Sequence, residues 1–258
     1  MPLSAYERKA RLTPGLLGIA PVTTTVVTLG LKTYPAVPIA LGALSATVGG
    51  YVLSVLVGNA GRRAQNGMYE RWGGRPSTQL LRLRGESSNP TQRDLWRRAV
   101  EEATGVHLLS KRREATNPIA ADHAIEAATD QVRHLGHAPH FPMVASENTA
   151  YGFERNLWGF RWAGRYIALI CLGSIVLAST LAKYTAIDVS RGAAITGVTI
   201  DALFLAGWCF LPSEKRAKEA GFRYAHQLLH AVIQENRNKS SSSTGEPATT
   251  PAAAQEGE

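Results

Sequence analysis

The residues of this chain able to do chemistry are few and lie far apart. Asp201 is the one charged residue in the run 192–213, between Ile200 and Ala202. A carboxylate in lipid costs at least ~2.5–3.5 kcal/mol on insertion scales, so it must face other helices or water, or carry a proton. That predicts either an ion or proton path, or a polar contact with Thr23, Thr24, Thr25, Ser45 or Thr47. No second charge stands at matching depth, which argues against a transport signature. His134, His137 and His140 recur in steps of three, with His123 upstream. Three imidazoles could bind zinc, but Gly136 and Pro139 break the helix that would align them. A solvated linker is the simpler reading.

Two further stretches carry polar groups at close spacing. The turn Trp72-Gly73-Gly74-Arg75-Pro76-Ser77-Thr78 precedes a predicted short helix over 79–84. With Arg82 and Arg84, the trio Arg75, Ser77 and Thr78 could hold an anion at a helix N-terminus. It is not a phosphate loop, since the Gly-Lys-Ser/Thr ending is missing, and Ser77 or Thr78 is more simply a helix cap. The second stretch, 147–162, alternates aromatic residues with arginine. In one reading it is a membrane-interface belt, with Trp158, Phe160 and Trp162 at headgroup depth and Arg161 and Arg165 on phosphates. In the other, Asn148, Tyr151, Arg155, Asn156 and Trp158 recognise an anionic ligand or a protein partner.

No nucleophile elbow, His-Glu-x-x-His, paired carboxylates or dinucleotide fingerprint occurs. Enzyme activity is therefore not expected, and no cofactor or metal is implied. Cys171 and Cys209 both fall in apolar runs, which excludes a disulfide framework and a cysteine zinc cluster.

The elements that must position these groups are set by hydropathy. Four runs, 12–31, 33–61, 166–182 and 192–213, are almost free of charge. A bilayer core of ~30 Å needs about 20 apolar helical residues, and every run except the third meets that outright. The predicted fold is an all-α membrane protein: two transmembrane hairpins, four spans in all, flanking an α-helical cytosolic region. The divisions are an N-terminal tail 1–12, hairpin 13–58, cytosolic region 59–164, hairpin 165–212, amphipathic helix 213–236 and disordered tail 237–258.

Orientation follows from the basic residues. Sixteen of the 28 Lys and Arg lie from Arg62 to Arg165, and more flank both termini, while Lys32, Lys183 and Arg191 mark the short loops. Positive residues stay on the cytoplasmic side, so both termini and the middle region face the cytoplasm. The first run, although it has a basic start, is read as half of a hairpin because Pro14 and Pro21 interrupt it and the chain re-enters the membrane at once. Gly42, Ala46 and Gly50 share one face of the second run. They could pack within the hairpin, or against a second copy as a homo-oligomer.

Outside the membrane runs the pattern is helical throughout. Residues 62–72 should extend the second span and stop at Gly73-Gly74. A helix over 91–104 starts at a capping box of Thr91 and Asp94. Asn117 caps the next, Pro118 opens it and Gly136 ends it, with Ala121, Ile125, Ala128, Val132 and Leu135 as its apolar stripe. A last amphipathic helix, 214–234, lines up Ala217, Gly221, Tyr224, Leu228 and Val232, and either packs on protein or lies on anionic lipid.

Gly73–Thr78, Phe141-Pro142 and Tyr151–Asn156 resemble a family of uncharacterised bacterial membrane proteins with a Gly-Gly-x-Pro-Ser/Thr turn, a Phe-Pro step and a Tyr-Gly-Phe-x-Arg-Asn motif. The resemblance extends to 220–231, whose core reads Tyr-Ala-x-Gln-Leu-Leu. It implies a bacterial inner-membrane location and carries no activity. The expected function is a non-catalytic module that binds a cytosolic protein or anionic ligand. The alternative is an oligomeric channel or membrane-perturbing effector with Asp201 in its path. The net charge of +8 invites a nucleic-acid reading. Against it, Glu86, Asp94, Glu101, Glu102, Glu114, Asp122, Glu126 and Asp130 dilute any basic surface.

Overall fold

A computed structural model describes residues 3–31, 34, 47–85, 89–182, 184 and 189–244. Among these the chain is all-helical, with no strand. In order come α1 (Ala5–Glu7), a π-helical turn (Arg8–Leu12), α2 (Thr13–Thr28), α3 (Thr47–Trp72), α4 (Pro76–Leu81), α5 (Pro90–Thr104), α6 (Lys111–Thr116) and α7 (Pro118–Val132). A 3-10 turn (Arg133–His137), α8 (Pro142–Leu181), α9 (Arg191–Phe210) and α10 (Glu214–Thr244) complete it. The loop expected at 32–35 and the small-residue face at Gly42 and Ala46 fall wholly or mainly outside the described residues.

Several boundaries follow from local chemistry. α3 continues from the apolar run into polar sequence and ends where Gly73 (φ +82°) and Gly74 (φ +124°) take up left-handed backbone. Asn117 Oδ1 accepts from the Ala120 N–H at 3.1 Å, and Pro118 opens α7. Other boundaries correct the sequence reading. The cap of α5 is Asn89, accepting from the Thr91 N–H at 3.0 Å, so Thr91 and Asp94 form no capping box. The short helix begins at Pro76 rather than at residue 79, because proline's fixed φ suits a first helical position. Ser77 and Thr78 therefore lie inside its first turn and do not cap it. α10 runs on through Thr244, so residues 238–244, expected in a disordered tail, are helical.

The chain divides into two compact units, and the polar stretch 59–164 is split between them. One unit comprises Met1–Pro76 and Ala145–Tyr224, the other Ser77–Val144 and Ala225–Glu258. In the first, α9 packs on α2, and α3 packs on the π-helical turn and on α2. Met68, Trp72, Tyr151, Ala217 and Ala220 form one buried cluster, and Leu157, Ala168 and Trp208 another. Among the described residues two helices, α8 and α9, are long and apolar enough to cross a membrane. α2, with 16 helical residues, is shorter.

In the second unit α5 and α6 pack on α7. The whole predicted α7 stripe, Ala121, Ile125, Ala128, Val132 and Leu135, is buried. Trp96 is buried edge-on to His226 and His230 of α10, at 5.1 and 5.5 Å between ring centroids. Leu228 and Val232 are buried too, so this part of α10 packs on protein.

Several arginines of this unit bind its own acids and carbonyls. Arg82 and Arg84 both chelate Asp122, with Arg82 Nη2 and Arg84 Nη2 each 2.7 Å from Oδ2. Burial pushes the Asp122 carboxyl up, but hydrogen bonds from the two guanidiniums outweigh it and hold the group below its ordinary 3.8. A depressed acid stabilises the fold fully above its unfolded value and loses that contribution as pH falls through the folded one. Asp122→Asn should therefore cost about 1–2 kcal/mol at pH 7 and progressively less below pH ~4, as a pH series of thermal melts would show.

Candidate functional site

The densest polar region is the motif Tyr151–Asn156 on α8, and its construction starts from two prolines on α2. Pro14 has no N–H, so the carbonyl of Ala10, four residues back, has no α-helical donor. Asn156 supplies one: its Nδ2 donates to the Ala10 carbonyl at 2.6 Å, in a wholly buried position. Pro21 leaves the carbonyl of Leu17 in the same state, and there the Trp208 indole Nε1 donates at 3.4 Å. Proline is tolerated in apolar helices where neighbouring helices re-satisfy the freed backbone. Here α8 and α9 do so with one side chain each.

The rest of the motif is spent in the same way. Tyr151 and Tyr69 share a hydroxyl hydrogen bond at 2.9 Å. A Cβ on Gly152 would stand 2.7 Å from the Tyr6 hydroxyl, so the N-terminal helix packs close against α8 there. Glu154 pairs with Arg216 at 3.5 Å; burial lifts its carboxyl above the ordinary range, and Arg216 and Arg223 partly oppose this. Arg155 donates to Gln65 Oε1 at 2.9 Å and lies over the Tyr151 ring. Arg155 and Asn156 are both buried. The motif joins the N-terminal turn, α3, α8 and α10, and its donors point inward. Asn148 sits half-buried one turn earlier on the same helix.

This arrangement predicts a compensated pair. Asn156→Ala strands the Ala10 carbonyl and should cost about 1–3 kcal/mol. Adding Pro14→Ala restores the missing N–H and should return part of that loss. A double-mutant cycle on thermal melting in detergent measures the coupling, and strict additivity would refute it.

Asp201 lies wholly buried in α9. Thr25 Oγ1 donates to its Oδ2 at 3.0 Å, so of the five hydroxyls the sequence offered, Thr25 makes the contact. Asp201 Oδ1 has no hydrogen bond among the described residues. Ser45 and the side chain of Thr47 lie outside them.

Arg75 and Ser77 are half-buried and Thr78 is wholly buried, while Arg82 and Arg84 are bound to Asp122 and Glu114. His134 Nδ1 meets the Gln131 carbonyl and His140 meets Glu235, each exposed. No cluster of three metal-ligating side chains occurs among the described residues, where Cys171 and Cys209 are free thiols.

Sequence reasoning missed Glu114. Counted as a surface acid, it is 1% exposed and accepts from the Leu83 and Arg84 backbone N–H groups at 3.0 and 3.2 Å. No local signal marks it, because its donors lie thirty residues earlier.

Midway along α8, where it turns apolar, Arg161 lies 3.7 Å over the Trp158 ring, and Arg165 lies 4.8 Å from the Trp162 ring. Beyond them Leu169, Ile170 and Leu177 of α8, and Ile195 and Leu203 of α9, are each more than half exposed.

Comparison with protein-family models, curated proteins and solved structures finds no match.

Proposed function

We propose that the chain is an integral protein of the bacterial inner membrane whose cytosolic helices serve as a non-catalytic interaction or ligand-sensing module. One observation carries the membrane reading. The apolar windows of α8 and α9 are only 22% and 17% buried, whereas the core helix of a water-soluble protein would be covered. Leaving so much contiguous apolar surface in water is unfavourable at ~25 cal/mol per Å², and lipid removes that cost. The inward capping of the Leu17 carbonyl by Trp208 supports it, since stranded carbonyls are dearest where no water can reach them. In this reading α2 and α3 contribute to the first hairpin.

For the helical unit of Ser77–Val144, the interaction reading draws on where its charges point. Arg82, Arg84, Arg97, Glu114 and Asp122 bind one another or their own backbone, which stiffens a scaffold. Ile119 and Met143 remain largely exposed for a partner.

Cysteine accessibility in a Cys171→Ala, Cys209→Ala background tests the topology. In intact spheroplasts an impermeant maleimide should label Tyr184→Cys, and should reach Arg133→Cys only after permeabilisation. Release of the chain by alkaline carbonate would overturn the reading.

A second reading, a conducting path or a membrane-perturbing effector, draws on the buried Asp201, whose Oδ1 has no hydrogen bond among the described residues. Asp201→Asn keeps the Thr25 hydrogen bond. It should leave the melting temperature near the parent's while abolishing ion flux through reconstituted vesicles. Flux that is absent in the parent, or unchanged in the variant, removes this reading.

A further inference from the structure

α8 carries Trp158, Arg161, Trp162, Arg165 and Tyr166 where its sequence turns from polar to apolar. The two arginines are held in place by their own surroundings. Arg161 Nη1 donates to the Trp158 carbonyl at 2.6 Å while its plane stacks on the Trp158 ring. Arg165 donates from Nε to the Trp208 carbonyl at 3.0 Å and from Nη2 to that of Cys209 at 3.3 Å, covering the end of α9. A guanidinium has five N–H groups, so each keeps donors beyond these.

A third guanidinium belongs to the same neighbourhood. Arg71, near the end of α3, grips Glu214 through Nε at 2.9 Å and Nη2 at 3.0 Å. Burial, and then the fields of Arg165 and Arg71, hold Arg161 below the usual arginine range, with Glu214 opposing them. Arg71 thus grips Glu214, Glu214 also acts on Arg161, and Arg165 acts on Arg161; with Glu70 beside Arg71, the three guanidiniums still outnumber the two acids. The surface beside it is apolar: Trp162, Tyr166 and Leu211 are more than half exposed and Phe210 is 83% exposed.

We propose that Arg71, Arg161 and Arg165 bind the phosphate of an anionic phospholipid, with Trp162, Tyr166 and Phe210 against its glycerol and upper acyl carbons. This rests on the membrane reading above. A soluble phosphate would use the guanidiniums and leave the exposed rings without a role, whereas a lipid uses both. Aromatic side chains settle at headgroup depth, and basic clusters there attract acidic headgroups.

Native mass spectrometry of the full chain released from detergent, titrated with phosphatidylglycerol or phosphatidylcholine, reads the site directly. Phosphatidylglycerol should be retained in preference to phosphatidylcholine. Arg161→Gln should weaken its retention about fivefold, and Arg71→Gln with Arg161→Gln further. Arg161→Lys should retain part of the affinity, and Arg133→Gln, an exposed arginine of the other unit, all of it. Circular dichroism and melting should match the parent, since the Arg161 hydrogen bond closes on its own helix. Equal retention of the two lipids, unchanged affinity in folded Arg161→Gln, or equal competition by glycerol 3-phosphate would overturn the proposal. A chain that stays in carbonate-washed membranes yet shows no lipid preference sinks this site alone; a chain that washes off sinks the membrane reading itself.

Discussion

Glu114→Ala is expected to destabilise the unit built from Ser77–Val144 and Ala225–Glu258 by about 3–5 kcal/mol, the usual cost of removing one partner from a buried ion pair. Glu114 accepts from two backbone N–H groups, Leu83 and Arg84, and from Arg84 Nη1 at 3.2 Å. It also lies 3.9 Å from Arg97 Nη1. Arg97 is itself buried and is fixed by hydrogen bonds to the carbonyls of Leu81 (2.7 Å) and Leu109 (2.6 Å). Burial pushes its guanidinium below the ordinary arginine range, and Glu114 is the first of the acids that pull it back. Alanine at 114 would leave that charge without its nearest counter-charge and two amides without acceptors. Hydrogen exchange on the full-length chain should show residues 82–85 opening first. Glu114→Gln keeps an acceptor oxygen but not the charge, so its loss should be smaller. Unchanged exchange in Glu114→Ala would show that the network holds nothing.

Gly159→Leu is expected to abolish the close crossing of α3 and α8. A Cβ at Gly159 would stand 2.6 Å from the Ala60 carbonyl oxygen and 2.7 Å from Gly61 Cα. The reciprocal position is as tight, since a Cβ on Gly61 would run into Asn156. Overpacking typically costs about 1–3 kcal/mol where side chains can yield, but the obstacle here is main chain. Gly159→Ala alone should therefore reach the upper part of that range, and leucine should exceed it. Asn156 lies one helical turn before Gly159, so the same shift would break its hydrogen bond to Ala10. Gly173, also in α8, is the control: a Cβ there meets nothing within 4 Å, and Gly173→Ala should be neutral or slightly stabilising. A melting temperature for Gly159→Leu equal to that of Gly173→Ala would contradict the crossing.

How far the fold could be read in advance depended on the range of each signal. The Asn117-Pro118 start of α7, its buried stripe and the Gly73-Gly74 stop are local, and each is found where the sequence placed it. Caps were less secure, because Asn89 and Thr91 are both competent and two residues apart; proline at 90 decides for Asn89. The aromatic and arginine stretch on α8 was visible as important, but its role was not. Its composition suits a ligand site as well as an internal joint. Only the positions of Gln65 and Ala10 show where Arg155 and Asn156 spend their donors.

By itself, the sequence determined that the described chain is helical, where α3 ends and α7 begins, and that the runs within α8 and α9 are apolar enough to cross a membrane. These depend on 3.6-residue periodicity, capping chemistry and hydropathy, all of which act over a turn or a span. The tertiary structure alone decided which hydroxyl meets Asp201, which donors replace the N–H groups that Pro14 and Pro21 lack, and that Glu114 is a buried keystone. Those partners stand 176, 146, 191 and about 30 residues apart. No periodicity spans such separations, so the pairing is set by helix packing and by the cost of an unpaired polar group inside it.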